Sequence, residues 1–164
     1  MTTPTFSREP REPRRYVAVA LDVTLARLPR VVGGAFDRVA AALGSHGLAP
    51  GGAVIRYVAV LKDGTFAIEV GHLVDGAVPR DDAYVQGELP GGEYSIARYD
   101  GPYAGMGGVT RALMESWEAD GFHPAVEQTT TGEDYGCWYE LYLDAPREGP
   151  QGPEGAVEVA VLSR

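Results

Sequence analysis

Gly33 to Pro50 reads GGAFDRVAAALGSHGLAP, and Gly107 to Pro124 reads GGVTRALMESWEADGFHP. Both stretches open on Gly-Gly and carry a Gly and a Pro at matching places, Gly47 and Pro50 against Gly121 and Pro124, so every marker recurs after 74 residues. In the first stretch Phe36, Val39, Ala40 and Leu43 fall at helical spacing, and Gly44 with Gly47 supplies a stop. In the second, Val109, Leu113 and Trp117 form an i, i+4, i+8 stripe. A repeat of this length predicts two copies of one supersecondary unit packed about a pseudo-twofold axis, because either copy alone buries too little apolar surface. The seam between the copies is where a cleft forms.

The flanks of the two helices extend the repeat. YVAVALDV, Tyr16 to Val23, alternates as a strand with Val17, Val19 and Leu21 on one face and Ala18 and Ala20 on the other. IRYVAVLKDGTFAIEV, Ile55 to Val70, holds Asp63-Gly64 between two β-rich arms, a hairpin signal. The first copy, about residues 16–78, is therefore strand, helix, strand, strand. The second, about 89–164, repeats that order from Tyr94–Tyr99 through a helix at Gly108–Ala119 to two strands ending at Leu143. A closing strand, Ala156 to Leu162, follows the connector PREGPQGPEG, and Pro79 to Gly92 bridges the copies. Residues 1–15 are Pro-rich, mix Arg8, Arg11, Arg14 and Arg15 with Glu9 and Glu12, and are predicted to be a flexible tail. The expected fold is α+β, an antiparallel sheet with two helices packed on it, in one domain over residues 16–164.

Composition narrows the function. A net charge of −9 and a pI near 4.7 exclude a basic stripe for nucleic acid and favour cationic partners. Cys137 is the single cysteine, without a CxxC partner, and is expected to be a small strand residue. No 18-residue apolar run and no signal peptide is present, so no membrane role and a cytoplasmic location are expected. A single lysine among 14 basic residues suits a GC-rich bacterial genome. His46, His72 and His123 are scattered, which argues against a zinc or haem site, and no metal or cofactor is expected. The glycines at 105, 107 and 108 lack the Lys and Ser/Thr of a phosphate loop, and Ser45, Ser95 and Ser116 lack a G-x-S-x-G context.

The strand CWYELYL, Cys137 to Leu143, carries the chemistry. Alternation puts Trp138, Glu140 and Tyr142 on one face and Tyr139, Leu141 and Leu143 on the other. A carboxylate between two aromatic rings binds a bulky delocalised cation: the rings offer negative π-faces and the carboxylate the countercharge. The plainer alternative is a Glu140 that faces solvent or pairs with an arginine. The first copy has its own glutamate, Glu69, 71 residues earlier and at nearly the same place in its last strand. Its face-mates Ala67 and Gly71 offer room without aromatic surface, and the hairpin register would set Val58 opposite Glu69, leaving Arg56 to reach it diagonally as an ion pair. Tyr103 and Tyr135 lie in loops where they could wall the cleft. Trp117 belongs either to the helix core or to the same site.

Three segments in order, LPGGEYSIARYDGPY (Leu89–Tyr103), GGVTRALMESWEADGFHP and CWYELYLDAP (Cys137–Pro146), give the chain a resemblance to the GyrI-like family of small-molecule-binding domains. The same domain forms the effector-binding half of multidrug-sensing regulators of the BmrR type. The resemblance spans Tyr16 to Leu162 and implies two strand–helix–strand–strand modules around a central groove. It further implies broad binding of flat or propeller-shaped lipophilic cations, or planar aromatics, with Glu140 as the acidic residue and Trp138 and Tyr142 as its flanks. No helix-turn-helix precedes Tyr16, so a stand-alone module that sequesters toxic compounds, without direct nucleic-acid contact, is the expectation. Some GyrI-like proteins are hydrolases that open cyclopropane rings of alkylating agents with a pocket glutamate. That is the alternative function, with Glu140 catalytic.

Overall fold

In the computed structural model, which describes residues 3–164, the elements are β1 (Thr5–Arg11), β2 (Arg14–Thr24), α1 (Leu28–Ser45), β3 (Ala53–Leu61), β4 (Thr65–Val74), β5 (Val85–Leu89), β6 (Gly92–Pro102), a 3-10 turn (Tyr103–Gly105), α2 (Met106–Asp120), β7 (Val126–Gln128), β8 (Gly132–Tyr135), β9 (Trp138–Tyr142), β10 (Arg147–Gly149) and β11 (Gly152–Leu162). The strands make one antiparallel sheet whose main path runs β1-β6-β11-β9-β3-β4-β2-β5, with the β7–β8 hairpin on β3 and β10 on β11. The path is mirrored about its middle. From β3 outward come β4 and β2, and from β9 outward come β11 and β6, so the pseudo-twofold passes between β3 and β9. The α+β class and the duplicated module are as the sequence implies.

The matching of strands within the repeat is corrected by this order. β9 occupies the place of β3, and the counterpart of β4 is β11. The β7–β8 hairpin, inserted after α2, offsets the second copy, so simple counting from the helices aligned the wrong strands.

Both helices lie on one face, α1 against β2 and β4 and α2 against β6. Between them and the sheet Ile55, Tyr57, Ile68 and Val70 meet Ala97, Val157, Val159 and Val161, together with Ala35, Val109 and Leu113 from the helices. The sheet curls its other face around Tyr16, Val54, Leu89, Tyr94, Ile96, Tyr139 and Leu141. The curl is forced by two short links. Only Glu12-Pro13 joins β1 to β2, and only Pro90-Gly91 joins β5 to β6, although each pair lies on opposite halves of the sheet. The links touch: a Cβ on Gly91 would stand 2.9 Å from Pro13 Cδ, which explains a residue without one there.

Helix α1 starts five residues before the Gly-Gly pair. Pro29 presets its first turn, and Leu28, Val31 and Val32 extend the apolar stripe upstream, so Gly33 and Gly34 are exposed interior helix residues rather than a helix start. Helix α2 ends as expected at Gly121, in the left-handed conformation with φ 67°. The Asp63-Gly64 hairpin also forms, with Asp63 Oδ1 accepting from Thr65 N at 2.8 Å. The two connectors carry strands of their own: β5 pairs with β2, and β10 folds back on β11.

The flexible tail expected over residues 1–15 is corrected where it is described, since Thr5–Arg11 pairs along β6 from Thr5 opposite Arg98 to Arg11 opposite Gly92, while residues 1 and 2 lie outside the described residues. Its charges read as a solvated tail, yet by alternation Glu9 and Arg11 turn toward a carboxylate that would otherwise be stranded. Glu158 is 4% exposed and is held by Arg11 and by Arg98 Nε at 3.1 Å, while Arg98 also binds Glu9 at 2.7 Å. The Arg98 hydrogen bond holds the Glu9 carboxyl down at about 2. Among the described residues no helix is long and apolar enough to cross a membrane.

Removing half of the Glu158 pairing by Arg11→Met is expected to cost about 2 kcal/mol in urea unfolding, because a buried carboxylate loses a partner; a disordered tail would predict no change. Conversely, Gly34→Ala should raise stability by about 0.5–1 kcal/mol, since nothing lies within 4 Å of the new Cβ and an interior helix glycine loses its entropic cost.

Candidate functional site

Glu140 sits on β9 between two aliphatic neighbours, opposite Ile55 on β3 and Val159 on β11. Strand alternation points it to the helix face with Trp138 and Tyr142, and it is 6% exposed. None of the ion pairs formed among the described residues involves it. Its neighbours are phenols: Tyr142 donates its hydroxyl to Oε1 at 2.9 Å, and the Tyr57 hydroxyl also acts on the carboxyl. Burial pushes the Glu140 carboxyl above the ordinary carboxylate range, and the two phenols pull it back only in part. Burial and the neighbouring carboxylate push both phenols up as well, which keeps them protonated donors.

Five rings pack on Trp138 and Tyr142, the two aromatics that flank this carboxylate. Trp138 stacks on Tyr57 with centroids 4.4 Å apart and planes at 22°. Phe66 packs edgewise on both, at 5.9 Å from Tyr57 and 6.4 Å from Trp138, and Tyr135 meets Trp138 at 5.0 Å. On the other flank Tyr142 takes Phe36 of α1 at 6.1 Å and Tyr103 of the 3-10 turn at 5.3 Å. The structure thus brings Trp138, Glu140, Tyr142, Tyr103 and Tyr135 together. Trp117 stands apart from this set: its Nε1 donates to Ser95 Oγ at 2.9 Å and its ring packs on Phe122, which is the core alternative.

Glu69 lies on the opposite side of the sheet. A bulge at Val58 shifts the β3–β4 register, so Arg56, not Val58, faces Glu69, whereas Ile55 faces Glu140. The expected Arg56–Glu69 ion pair gives way to a relay in which Arg56 Nη1 donates to Tyr16 Oη at 3.1 Å and the Tyr16 hydroxyl donates to Glu69. Arg56 spends its other hydrogen bonds on Glu88 O and Gly136 O, tying β5 and the β8–β9 link to the sheet.

Tyr57, Phe36 and Phe66 were not singled out by the sequence pattern. Tyr57 stands two residues beyond Ile55, which pairs with Glu140, so the twofold would have found it had β3 been aligned with β9. Two open depressions, about 570 Å³ beside Arg11 and Arg14 and about 450 Å³ beside Arg8 and Phe122, lie away from Glu140. The chemistry is concentrated at Glu140 instead. Of the rings on this face, Phe36, Phe66, Tyr103, Tyr135 and Tyr142 are only partly buried.

A raised carboxyl makes Glu140 a stabilising group only while it is protonated: its contribution is complete below the unfolded-state value and is lost as pH rises through the raised folded one. Glu140→Gln should therefore raise the melting temperature at pH 7–8, and the gain should shrink as pH falls toward 4. Thermal scans across that range check it.

No protein-family model matches the chain, and no curated protein matches it. Solved structures do match. The cryo-EM structure of EcmrR in a DNA complex superposes with a TM-score of 0.70 at 12% identity over 98% of this chain, which corresponds to 58% of the EcmrR chain. The isolated EcmrR C-terminal domain covers 100% of this chain and 98% of that one, at 10% identity and a TM-score of 0.66. SAV2435 bound to tetraphenylphosphonium gives a TM-score of 0.58 at 11% identity, covering 98% and 94% of the two chains. A hydrolase from Listeria innocua gives 0.59 at 9% identity, covering 98% and 92%. The chain has the GyrI-like fold.

Proposed function

We propose that this protein binds lipophilic aromatic cations, with Glu140 as the countercharge and the surrounding rings as the walls. One observation carries the reading: the two buried glutamates are treated differently. Glu158 receives two arginines, whereas Glu140 receives only phenols inside a cage of π-faces. A buried carboxylate without a cation costs stability and is retained where a ligand supplies the positive charge. Each ring face adds ~0.5–2 kcal/mol to a desolvated cation. Burying ~300 Å² of ligand apolar surface gains about 7 kcal/mol before the entropic costs of binding. Stacking tolerates varied shapes, so the range of ligands is broad and sequestration of toxic compounds fits it. The tetraphenylphosphonium held by SAV2435, on the same fold, is a ligand of this kind.

Hydrolysis is the second reading, favoured by the raised Glu140 carboxyl, which could serve as a general base, and by the hydrolase that shares the fold. It is the weaker one. A base needs a water beside it, and Glu140 is 6% exposed with one carboxylate oxygen already taken by the Tyr142 hydroxyl. Incubation with a cyclopropane-bearing alkylating agent, followed by mass spectrometry, separates the two. Compound recovered unchanged supports the binder, and multiple turnovers lost in Glu140→Gln would establish the enzyme.

Fluorescence titration with tetraphenylphosphonium or a rhodamine dye should give micromolar binding, weakened by about 1–2 kcal/mol in Glu140→Gln and by as much or more in Trp138→Ala. Glu69→Gln, on the far face, should leave it unchanged. Undiminished affinity in Glu140→Gln would remove the carboxylate from the site.

A further inference from the structure

Three buried polar atoms among the described residues lack a hydrogen-bond partner: Arg56 Nε, the Tyr103 hydroxyl and Trp138 Nε1. The first belongs to a guanidinium that already donates to Tyr16, Glu88 and Gly136. The second is a hydroxyl whose hydrogen rotates, and it lies beside Gly155, near Asp144, where a Cβ on Gly155 would stand 2.9 Å from it. The third differs in kind. An indole N–H is a donor only and its direction is fixed by the ring, so no rotation of a hydrogen relieves it. Trp138 is 7% exposed and its ring is held by the Tyr57 stack and by the edges of Phe66 and Tyr135. Trp117, the other indole of the chain, is bonded to Ser95.

We infer that the Trp138 N–H is a specificity-determining donor, and that the ligands best fitted to this site are aromatic cations that also carry a hydrogen-bond acceptor, such as a carbonyl or ether oxygen. The inference rests on the proposed cation site and deepens it. An unmet donor in a packed interior costs about 1–3 kcal/mol, which the fold tolerates at the wall of the site and avoids at Trp117. The strand places the donor and the carboxylate on one face. Trp138 and Glu140 are successive residues on one face of β9, so their positions stand roughly 6.6 Å apart at ~3.3 Å of rise per residue. The preferred ligand therefore carries its acceptor and its cationic centre on one molecule that reaches both side chains of this strand face. A cation without an acceptor still fills the cage but leaves the indole unmet.

The test compares tetraphenylphosphonium with (4-acetylphenyl)triphenylphosphonium, which adds a carbonyl to the same cation, by calorimetric titration of the full chain and of Trp138→Phe. The full chain should prefer the carbonyl compound by about 3- to 10-fold, the range of one added hydrogen bond. Trp138→Phe should bind the two within a factor of about two. A preference that survives in Trp138→Phe, or no preference in the unaltered protein, overturns this inference and leaves the cation site standing. Failure of both compounds to bind the unaltered protein overturns the cation site and this inference together. Proton–nitrogen correlation spectra give an answer that does not depend on the variant folding. The Trp138 indole resonance should move downfield with the carbonyl compound and not with tetraphenylphosphonium, while Trp117 stays in place. Equal shifts with both cations overturn the inference.

Discussion

The pairing of β3 with β9 across the pseudo-twofold is the constraint on which the structure depends. It joins the two modules into one sheet, and it brings the residues of β9 between two strands rather than to an edge. A carboxylate on an edge strand would be solvated. At this place Glu140 has Ile55 on one side and Val159 on the other, a helix-covered face above, and no water-exposed route for its charge. The same pairing sets Tyr57 of one module beside Trp138 of the other, so the tightest aromatic stack in the site is itself a contact between the two copies.

The two faces of the sheet handle polarity in opposite ways. On the enclosed face the buried Glu158 lies between Arg11 and Arg98, and the half-buried Glu69 lies beneath a relay from Arg56 through Tyr16. That face behaves as a structural core, and the β1 strand completes it. On the helix face the carboxylate and the indole are left short of partners, and the rings around them are only partly buried. Proteins concentrate such unmet groups where function requires them and satisfy them elsewhere.

Much of this was legible in the sequence because periodicity survives duplication. The helices, the Asp63-Gly64 hairpin, and the face of β9 that carries Trp138, Glu140 and Tyr142 all follow from local spacing. The misreadings have non-local causes. Nothing in the run IRYVAV announces the Val58 bulge, which moves Arg56 from the diagonal to the place directly opposite Glu69. The β7–β8 hairpin lengthens the second copy, so the two glutamates looked equivalent when they occupy different strands. Residues 5–11 read as a tail because low hydrophobicity and mixed charge describe solvated chain, and their buried partner, Glu158, lies some 150 residues away in sequence. Phe36 and Phe66 resemble ordinary core residues until the sheet order shows what they enclose.

The charge on Glu140 decides whether this face holds a cation. Carbon-13 detection of the Glu140 side-chain carboxyl, assigned by comparison with Glu140→Gln and followed through pH titration with and without tetraphenylphosphonium, reads it directly. The predicted result is a midpoint above the ordinary carboxylate range in the free protein that falls when the cation is bound, because a bound positive charge restores the ionised form. A midpoint that stays where it was as the cation saturates the protein would mean that the carboxylate and the ligand do not meet.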